Sequence, residues 1–280
     1  FLAVASTQVA FLGHDAGHRQ MFRNRRASEV AGLLAGNLAT GLSYGWWIDK
    51  HNRHHANPNH EESDPDVGAG ALVWTHEQAL ATRGFARWLA RRQAYLFFPM
   101  LLLEGLNLHV ASIRALFGTP MRHRGVEALL LVLHTAGYLG AVCTVLSPAR
   151  ALVFIAVHQG LWGLYMGCSF APNHKGMPMI AAGVRLDFLR KQVLTSRNIR
   201  GGPFVDFALG GLNYQIEHHL FPSMPRANLR RAQPLVRQYC AEQGIPYEET
   251  GLLDSYGQAL RHLHEVGAPL RDADRAGGRG

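Results

Sequence analysis

Eight of the sixteen histidines fall in four short blocks of the sequence. They are His14, His18, His51, His54, His55, His174, His218 and His219. Imidazole is a poor core filler and titrates near neutral pH, so dense groups of histidines are typical of metal ligands. Neutral imidazoles without thiolates suit iron, copper, nickel or zinc. Because a zinc ion normally takes four ligands, eight histidines are too many for one such ion and indicate two metals.

Two of the blocks have helical spacing. His14 and His18 are four residues apart, and His51 precedes His54 and His55 by three and four residues. On a helix, residues at these spacings share one face and can therefore bind one centre.

The other two blocks are a pair and a single histidine. His218 and His219 follow Gln215 within the apolar segment 213–222, and His174 lies in an Asn-His-Lys-Gly turn. The three cysteines are widely spaced and form no CxxC pair, so the sequence indicates neither a disulfide framework nor a thiolate site.

Long apolar segments alternate with basic loops, and the net charge is +8. The segments 126–146 and 151–171 are predicted membrane spans that form an antiparallel hairpin. The glycine-rich segment 27–48 is interpreted as two half-spans, and 94–117, which has several polar breaks, as a re-entrant or interfacial helix. With positive-inside topology, these crossings place all four blocks on one cytoplasmic face. Two redox metals beside a bilayer indicate dioxygen activation and attack on an unactivated lipid C–H bond.

Several other segments receive simpler interpretations. Residues 67–93 are predicted to form an amphipathic surface helix, and 225–265 soluble helices. The predicted buried stripe of the latter comprises Leu229, Leu235, Val236 and Tyr239. A solvated loop is favoured at His60, Glu61, Glu62, Asp64 and Asp66, with acids that orient the metal ligands as the alternative. Interhelical hydrogen bonding is favoured over metal binding for His134 and His158. Positive-inside placement is favoured over head-group binding for Arg53, Arg197 and Arg200.

The order HDAGH, HNRHH, NHKG and QIEHH resembles that of the membrane fatty acid desaturase family. It looks most like bacterial acyl-lipid or acyl-CoA desaturases whose third box opens with glutamine, as in front-end enzymes. The resemblance covers His14 to about residue 265. It implies an all-α, multi-span helical membrane protein with a cytosolic helical cap that holds a di-metal centre. We expect a desaturase domain over 1–265 that has lost an N-terminal segment, and a disordered tail over 266–280.

The resemblance also implies ligands, cofactors and partners. All eight boxed histidines would bind two iron ions, with O2 as co-substrate. Gln215 stands where many relatives have histidine and is carried over as a site residue, while Asn173 and Asn213 would orient ligands or a bound water. The substrate would be a fatty acyl chain on CoA or a lipid. Because no haem-binding HPGG is seen, a separate ferredoxin or reductase would supply electrons. The expected location is a bacterial cell membrane.

Alternatives remain within and outside this chemistry. Related hydroxylases, acetylenases and conjugases use the same boxes, and sphingolipid or sterol-type substrates also fit. A metal transporter would place ligands in mid-membrane, whereas these blocks lie at span ends. A nucleic-acid partner is disfavoured because no basic–aromatic platform is present.

Overall fold

The computed structural model describes residues 1–118 and 120–277, and it confirms the prediction of a nearly all-helical chain. In chain order, the helices are α1 (Leu2–Gly17), α2 (Arg25–Leu33), a π-helix (Leu34–Thr40), α3 (Tyr44–Ala56), α4 (His76–Ala81), α5 (Gly84–Leu101), α6 (Glu104–Gly118), α7 (Arg124–Val145), α8 (Pro148–His174), α9 (Phe188–Leu194), α10 (Pro203–Ala208), α11 (Gln215–Leu220), α12 (Arg226–Glu242), α13 (Leu252–Val266) and α14 (Ala268–Gly277). Two short strands, β1 (Asn198–Ile199) and β2 (Glu249–Thr250), pair in parallel.

The chain divides into two compact units. The first unit comprises Phe1–His51, Met100–Ser169 and Pro222–Asn228. The second unit comprises Asn52–Pro99, Phe170–Phe221 and Leu229–Gly280. Helices α3, α5, α8 and α12 each contribute residues to both units.

Among the described residues, two helices are long and apolar enough to cross a membrane, and they coincide with the two predicted spans. They are α7 and α8, and the count rises to three if the pair α5 and α6, broken at Leu102 and Leu103, is one span. Between α7 and α8 only Leu146 and Ser147 are non-helical, and the Tyr138 hydroxyl lies 2.8 Å from His158 Nδ1. The predicted interhelical hydrogen bonding of His158 is thus confirmed. His134 Nδ1 donates to the Leu38 carbonyl oxygen of the π-helix at 2.9 Å, so the predicted interhelical hydrogen bonding of His134 is also confirmed.

The apolar segment predicted as two half-spans is a continuous helical stretch followed by a sharp reversal. Helix α2 runs into the π-helix, which ends where Gly41 adopts a left-handed conformation with φ of 69°. A side chain at Gly41 would also collide with His134 and His109. Glycine therefore allows the chain to turn there and begin α3.

A buried carboxylate holds this reversal in the first unit. Glu127 on α7 accepts hydrogen bonds from the Ser43 hydroxyl at 2.6 Å, Asn37 Nδ2 at 3.1 Å and the Gly45 backbone N–H at 3.2 Å. The N-terminus of a helix favours a negative charge, so Glu127 anchors the start of α3. This helix carries His51.

The second unit has two apolar clusters. One contains Val73, Ala79, Ala90, Val266 and Leu270, and the other contains Val193, Ile216, Val236, Cys240 and Ile245. The second cluster packs beneath α11, so it supports the helix on which His218 and His219 lie.

Two helix predictions need correction in the second unit. The helix expected over 67–93 begins only at His76, where Thr75 accepts a hydrogen bond from Gln78 N, and it breaks before Gly84. On α12, Leu235 is 69% exposed, whereas Val236 and Cys240 are buried. Counted from Leu229, steps of seven and eleven residues keep the helical period and reach these two buried positions.

The end of the chain also differs from the prediction of a disordered tail over 266–280. Helix α14 occupies most of that range, and Leu270 is fully buried against the second unit's first apolar cluster. Residues 278–280 lie outside the described part of the chain. In the described part of the chain, Cys143, Cys168 and Cys240 form no disulfide.

Candidate metal centre

Three of the predicted ligands meet in the first unit. His14 and His18 lie near the end of α1, and His51 lies on α3. Their ring centroids are 4.7 to 5.0 Å apart, and His18 Nε2 is 2.8 Å from His51 Nε2. Two blocks separated by more than thirty residues of sequence therefore form one cluster.

Close packing of α1 on α3 sets this geometry. A side chain at Gly17 would collide with Trp47 and Ile48, so glycine permits the approach. The Trp47 ring stacks on the His51 ring with centroids 4.4 Å apart. The Trp47 ring therefore restricts the orientation of the His51 ring.

The five other boxed histidines meet in the second unit. The ligand atoms of His54, His174 and His219 all lie within 4.8 Å of one another. The His55 ring stacks on the His219 ring at 4.1 Å and meets the His218 ring edge-on at 4.8 Å. All five come from helix ends or from the short helix α11.

Hydrogen bonds to the Nδ1 atoms determine which nitrogen faces the centre. His54 Nδ1 donates to the Asp64 carboxylate at 2.9 Å, and His174 Nδ1 donates to the Thr195 carbonyl oxygen at 3.0 Å. His219 Nδ1 donates to Gln192 Oε1 at 2.9 Å. The Gln192 amide is itself oriented, because its Nε2 donates to the His55 carbonyl oxygen. Each ring thus carries its proton on Nδ1 and presents Nε2 as a lone pair.

These lone pairs fit a metal ion. His54 Nε2 and His174 Nε2 are only 3.3 Å apart, and two lone pairs at that distance repel unless a cation lies between them. His219 Nε2 is buried without a hydrogen-bond partner among the described residues. Burial, followed by the neighbouring histidines, holds the pKa of His219 well below its usual range, so this imidazole is neutral at pH 7. Three imidazoles with fixed Nδ1 partners are a typical metal donor set.

The predicted accessory residues divide into two groups. Gln215 Nε2 lies 2.9 Å from His174 Nε2, and Asn173 Nδ2 donates to Gln215 Oε1 at 3.2 Å, so both belong to the site. Asn213 Nδ2 instead donates to the Asp206 carboxylate at 2.8 Å. Asn213 is therefore linked to α10 and not to a histidine.

Asp64 is a buried partner of His54, whereas the sequence interpretation favoured a solvated loop for it. It is 3% exposed, and besides His54 it accepts hydrogen bonds from the backbone N–H groups of Asn59 and Asp66. Burial raises the pKa of Asp64, but the hydrogen bond from His54 and the other polar contacts of the carboxylate outweigh burial and leave this pKa below its usual range. The carboxylate is therefore ionised at neutral pH and can orient His54.

Arg197 also contradicts its predicted surface role. It is fully buried, whereas Arg53 and Arg200 are exposed as expected. Burial lowers the pKa of Arg197 to about 10, which still leaves the guanidinium charged at neutral pH.

A buried network around Glu217 supports α11. Asn198 Nδ2 and the Tyr247 hydroxyl donate to the Glu217 carboxylate, each at 2.7 Å, and Asn198 Oδ1 accepts from the Ile216 N–H. Burial is the main cause that raises the pKa of Glu217. This network joins three separate segments of the sequence. No spacing rule in the sequence therefore groups Glu217 with Asn198 and Tyr247.

Comparisons with known proteins agree with this geometry. The model of a family described as "Fatty acid desaturase" matches residues 1–251. The chain is 33% identical over 276 residues to the acyl-lipid (9-3)-desaturase of Physcomitrium patens, covering 95% of this chain and 52% of that protein. It is 32% identical over 280 residues to the Delta(6)-fatty-acid desaturase of Caenorhabditis elegans, covering 95% and 63%. It is 28% identical over 293 residues to the Delta 8-(E)-sphingolipid desaturase of Emericella nidulans, covering 97% and 53%.

The chain spans between half and two thirds of the length of these relatives. The relatives are eukaryotic and do not support the expected bacterial origin. The family match nevertheless covers most of the sequence, including all four histidine blocks. With its helical architecture and its histidine clusters, the chain belongs to the fatty acid desaturase family.

Proposed function

We propose that the protein is an O2-dependent fatty acyl desaturase that introduces a cis double bond into an acyl chain. The observation that carries this proposal is the convergence of His54, His174 and His219, each with its Nδ1 proton held by an oxygen acceptor. The family match supports the reaction class. The apolar helices α7 and α8 support a substrate that is dissolved in a bilayer.

In this proposal, each unit contributes ligands for one of two iron ions. His14, His18 and His51 would serve the ion of the first unit, and His54, His174 and His219 would serve that of the second. Helix α3 contributes His51 to one set and His54 to the other.

When bound, the iron ions would supply the activation of O2, which with two external electrons and two protons removes two hydrogens from adjacent methylenes and yields two water molecules. The residues of the chain perform the positioning. Asp64, the Thr195 carbonyl and Gln192 hold the imidazole protons on Nδ1, so that the Nε2 atoms stay available as ligands. Gln215 Nε2 lies 2.9 Å from His174 Nε2 and restricts the orientation of the His174 ring.

The partners and the location belong to the same proposal. Electrons would come from a separate ferredoxin or reductase, and the histidines would face the cytoplasm, which the arginine-rich loops support. An acyl lipid is supported as the carrier by the name of the Physcomitrium patens relative, with acyl-CoA as the other carrier. A sphingolipid substrate is the second candidate, and the Emericella nidulans relative supports it.

The decisive experiment is a fatty-acid methyl ester and sphingoid-base profile of cells that express the protein with a working reductase. The comparison is a His218→Ala/His219→Ala variant, and a His262→Gln variant serves as a matched control because His262 donates only to the Trp74 carbonyl. A new double bond that needs His218 and His219 but not His262 supports the proposal.

The other outcomes separate the alternatives. A new double bond in the sphingoid base selects the sphingolipid desaturase, and a hydroxylated acyl product selects a hydroxylase. No lipid change in cells that hold folded, iron-loaded protein contradicts the desaturase proposal.

A further inference from the structure

Arg197 places a buried positive charge at the C-terminal end of α8. Its Nε donates to the Pro172 carbonyl oxygen at 2.6 Å, and its other nitrogens donate to the Lys175 carbonyl and to Gln258 Oε1. Among the described residues, all of its hydrogen-bond acceptors are neutral oxygens. Burial of a charge is costly unless its donors are satisfied, so this arrangement requires a specific reason.

The end of a helix leaves its last carbonyl groups without partners. At the end of α8, Arg197 satisfies two of them, because its Nε donates to the Pro172 carbonyl and its backbone N–H donates to the Asn173 carbonyl at 2.9 Å. It also binds the carbonyl of Lys175, the residue that directly follows the helix. The His174 carbonyl accepts from Met177 N and from Asn59 Nδ2, each at 3.1 Å. A guanidinium suits this position, since it offers five donors in a fixed fork and its charge complements the helix dipole.

The same segment orients the imidazole of His174. Thr195, two residues before Arg197, provides the carbonyl oxygen that accepts from His174 Nδ1. Arg197 therefore connects the end of α8, which carries His174, to the segment whose Thr195 carbonyl orients the His174 ring. The next residue, Asn198, accepts from Ile216 N and so extends this connection to α11.

We propose that Arg197 is a positioning residue that sets the direction of His174 Nε2 toward the metal. It acts through the backbone carbonyls of Pro172, Asn173 and Lys175, and it touches neither substrate nor metal. This inference rests on the metal centre of the proposed function and extends it to a residue outside the histidine blocks.

The test is a Co²⁺ titration of the purified, metal-free protein in lipid nanodiscs. Co²⁺ takes the same nitrogen ligands as Fe²⁺, and its visible absorption reports coordination geometry. The variants are Arg197→Lys, which keeps a cation but loses the fork, and Arg197→Leu. Gln258→Leu is the matched control, because it removes an Arg197 partner but leaves the carbonyl contacts of α8 intact.

Wild-type protein is expected to bind two Co²⁺ ions. Both Arg197 variants should weaken one of the two binding events by about 10- to 100-fold, the effect typical of residues that orient metal ligands, and should change its absorption band. The other binding event should be unchanged, and Gln258→Leu should behave like wild type. Circular dichroism melting of the metal-free proteins is measured in parallel.

Two results would overturn the inference. One is unchanged Co²⁺ affinity and absorption in folded Arg197→Lys and Arg197→Leu proteins. The other is a lower melting temperature with an unaltered Co²⁺ curve for the folded fraction, which is what a purely structural role predicts. If wild-type protein binds no Co²⁺, the proposal of a metal centre is itself wrong. If the Co²⁺ results hold but no lipid product forms, the reaction is wrong and the role of Arg197 stands.

Discussion

The two units hold their histidines in different ways. In the first unit, helix packing at Gly17, ring stacking by Trp47 and the anchor of α3 by Glu127 define the positions of His14, His18 and His51. In the second unit, direct hydrogen bonds to Nδ1 orient His54, His174 and His219. The first arrangement fixes where the ligands' helices lie, and the second also fixes the tautomer of each ring. A substitution that disrupts the histidine positions in one unit should therefore leave the metal affinity of the other unit largely unchanged.

Removal of a ligand from each unit should give the largest effect. We expect His18→Ala and His219→Ala each to lower desaturation by more than about 100-fold, beyond the loss typical of outer residues. Each variant should retain about one of two iron ions, because the other unit keeps its ligands. Product analysis by gas chromatography and iron analysis of the purified protein check these expectations.

His123→Gln and His262→Gln are the matched controls. His123 pairs with Glu29 at the surface of the first unit, and His262 bonds a backbone carbonyl in the second. Both should keep activity and iron content. Full retention of two ions by His219→Ala would show that the second cluster is not a metal site.

The sequence predicted which histidines cluster better than it predicted what orients them. The eight histidines were visible because their type and spacing are unusual, and α7 and α8 because long apolar runs are unambiguous. The sequence did not favour a role for Asp64 in orienting ligands, because one acid in a polar loop looks like any other. Gln192 and Thr195 act on rings 27 and 21 residues away along the chain, a relation that depends on the tertiary fold.

The dependence of burial on the tertiary fold also explains the wrong predictions for Arg197 and α12. An arginine near a predicted membrane face is usually exposed, so only the fold could show that Arg197 is buried behind α8. On α12, the apolar residues Leu235 and Tyr239 fit the composition of a buried stripe but not its helical period. Composition alone gave the wrong face there.

A carboxylate substitution in each unit would sharpen the comparison. Asp64→Asn removes the charge that holds the His54 Nδ1 proton, and we expect metal affinity in the second unit to fall by about 10- to 100-fold. In the first unit, Asp15 Oδ1 is 3.9 Å from His14 Nδ1, beyond hydrogen-bond distance, and Asp15 pairs with Arg226 at 3.0 Å. Asp15→Asn should change metal affinity by less than about 3-fold, because a partly exposed ion pair contributes little.

Calorimetric titration of the metal-free proteins with Fe²⁺ under anaerobic conditions measures both variants. Equal losses of Fe²⁺ affinity in the two variants would show that direct hydrogen bonding does not distinguish the units. A loss of Fe²⁺ affinity in Asp15→Asn alone would show that the carboxylate orients a ligand in the first unit and not in the second.

The smallest effect should come from Glu127→Gln, which tests the anchor of the first unit. Ser43, Asn37 and Gly45 all direct donors at the carboxylate, so the NH2 group of glutamine must face at least one donor. An unsatisfied buried pair of this kind costs about 1–3 kcal/mol of unfolding free energy. Because α3 carries both His51 and His54, the variant should weaken metal binding only slightly, through the looser start of the helix, and mainly lower the melting temperature. Glu29→Gln, which alters a partly exposed pair with His123, should leave the free energy of unfolding within about 1 kcal/mol of wild type. A Glu127→Gln protein that melts like Glu29→Gln would mean that the reversal at Gly41 holds α3 without the carboxylate.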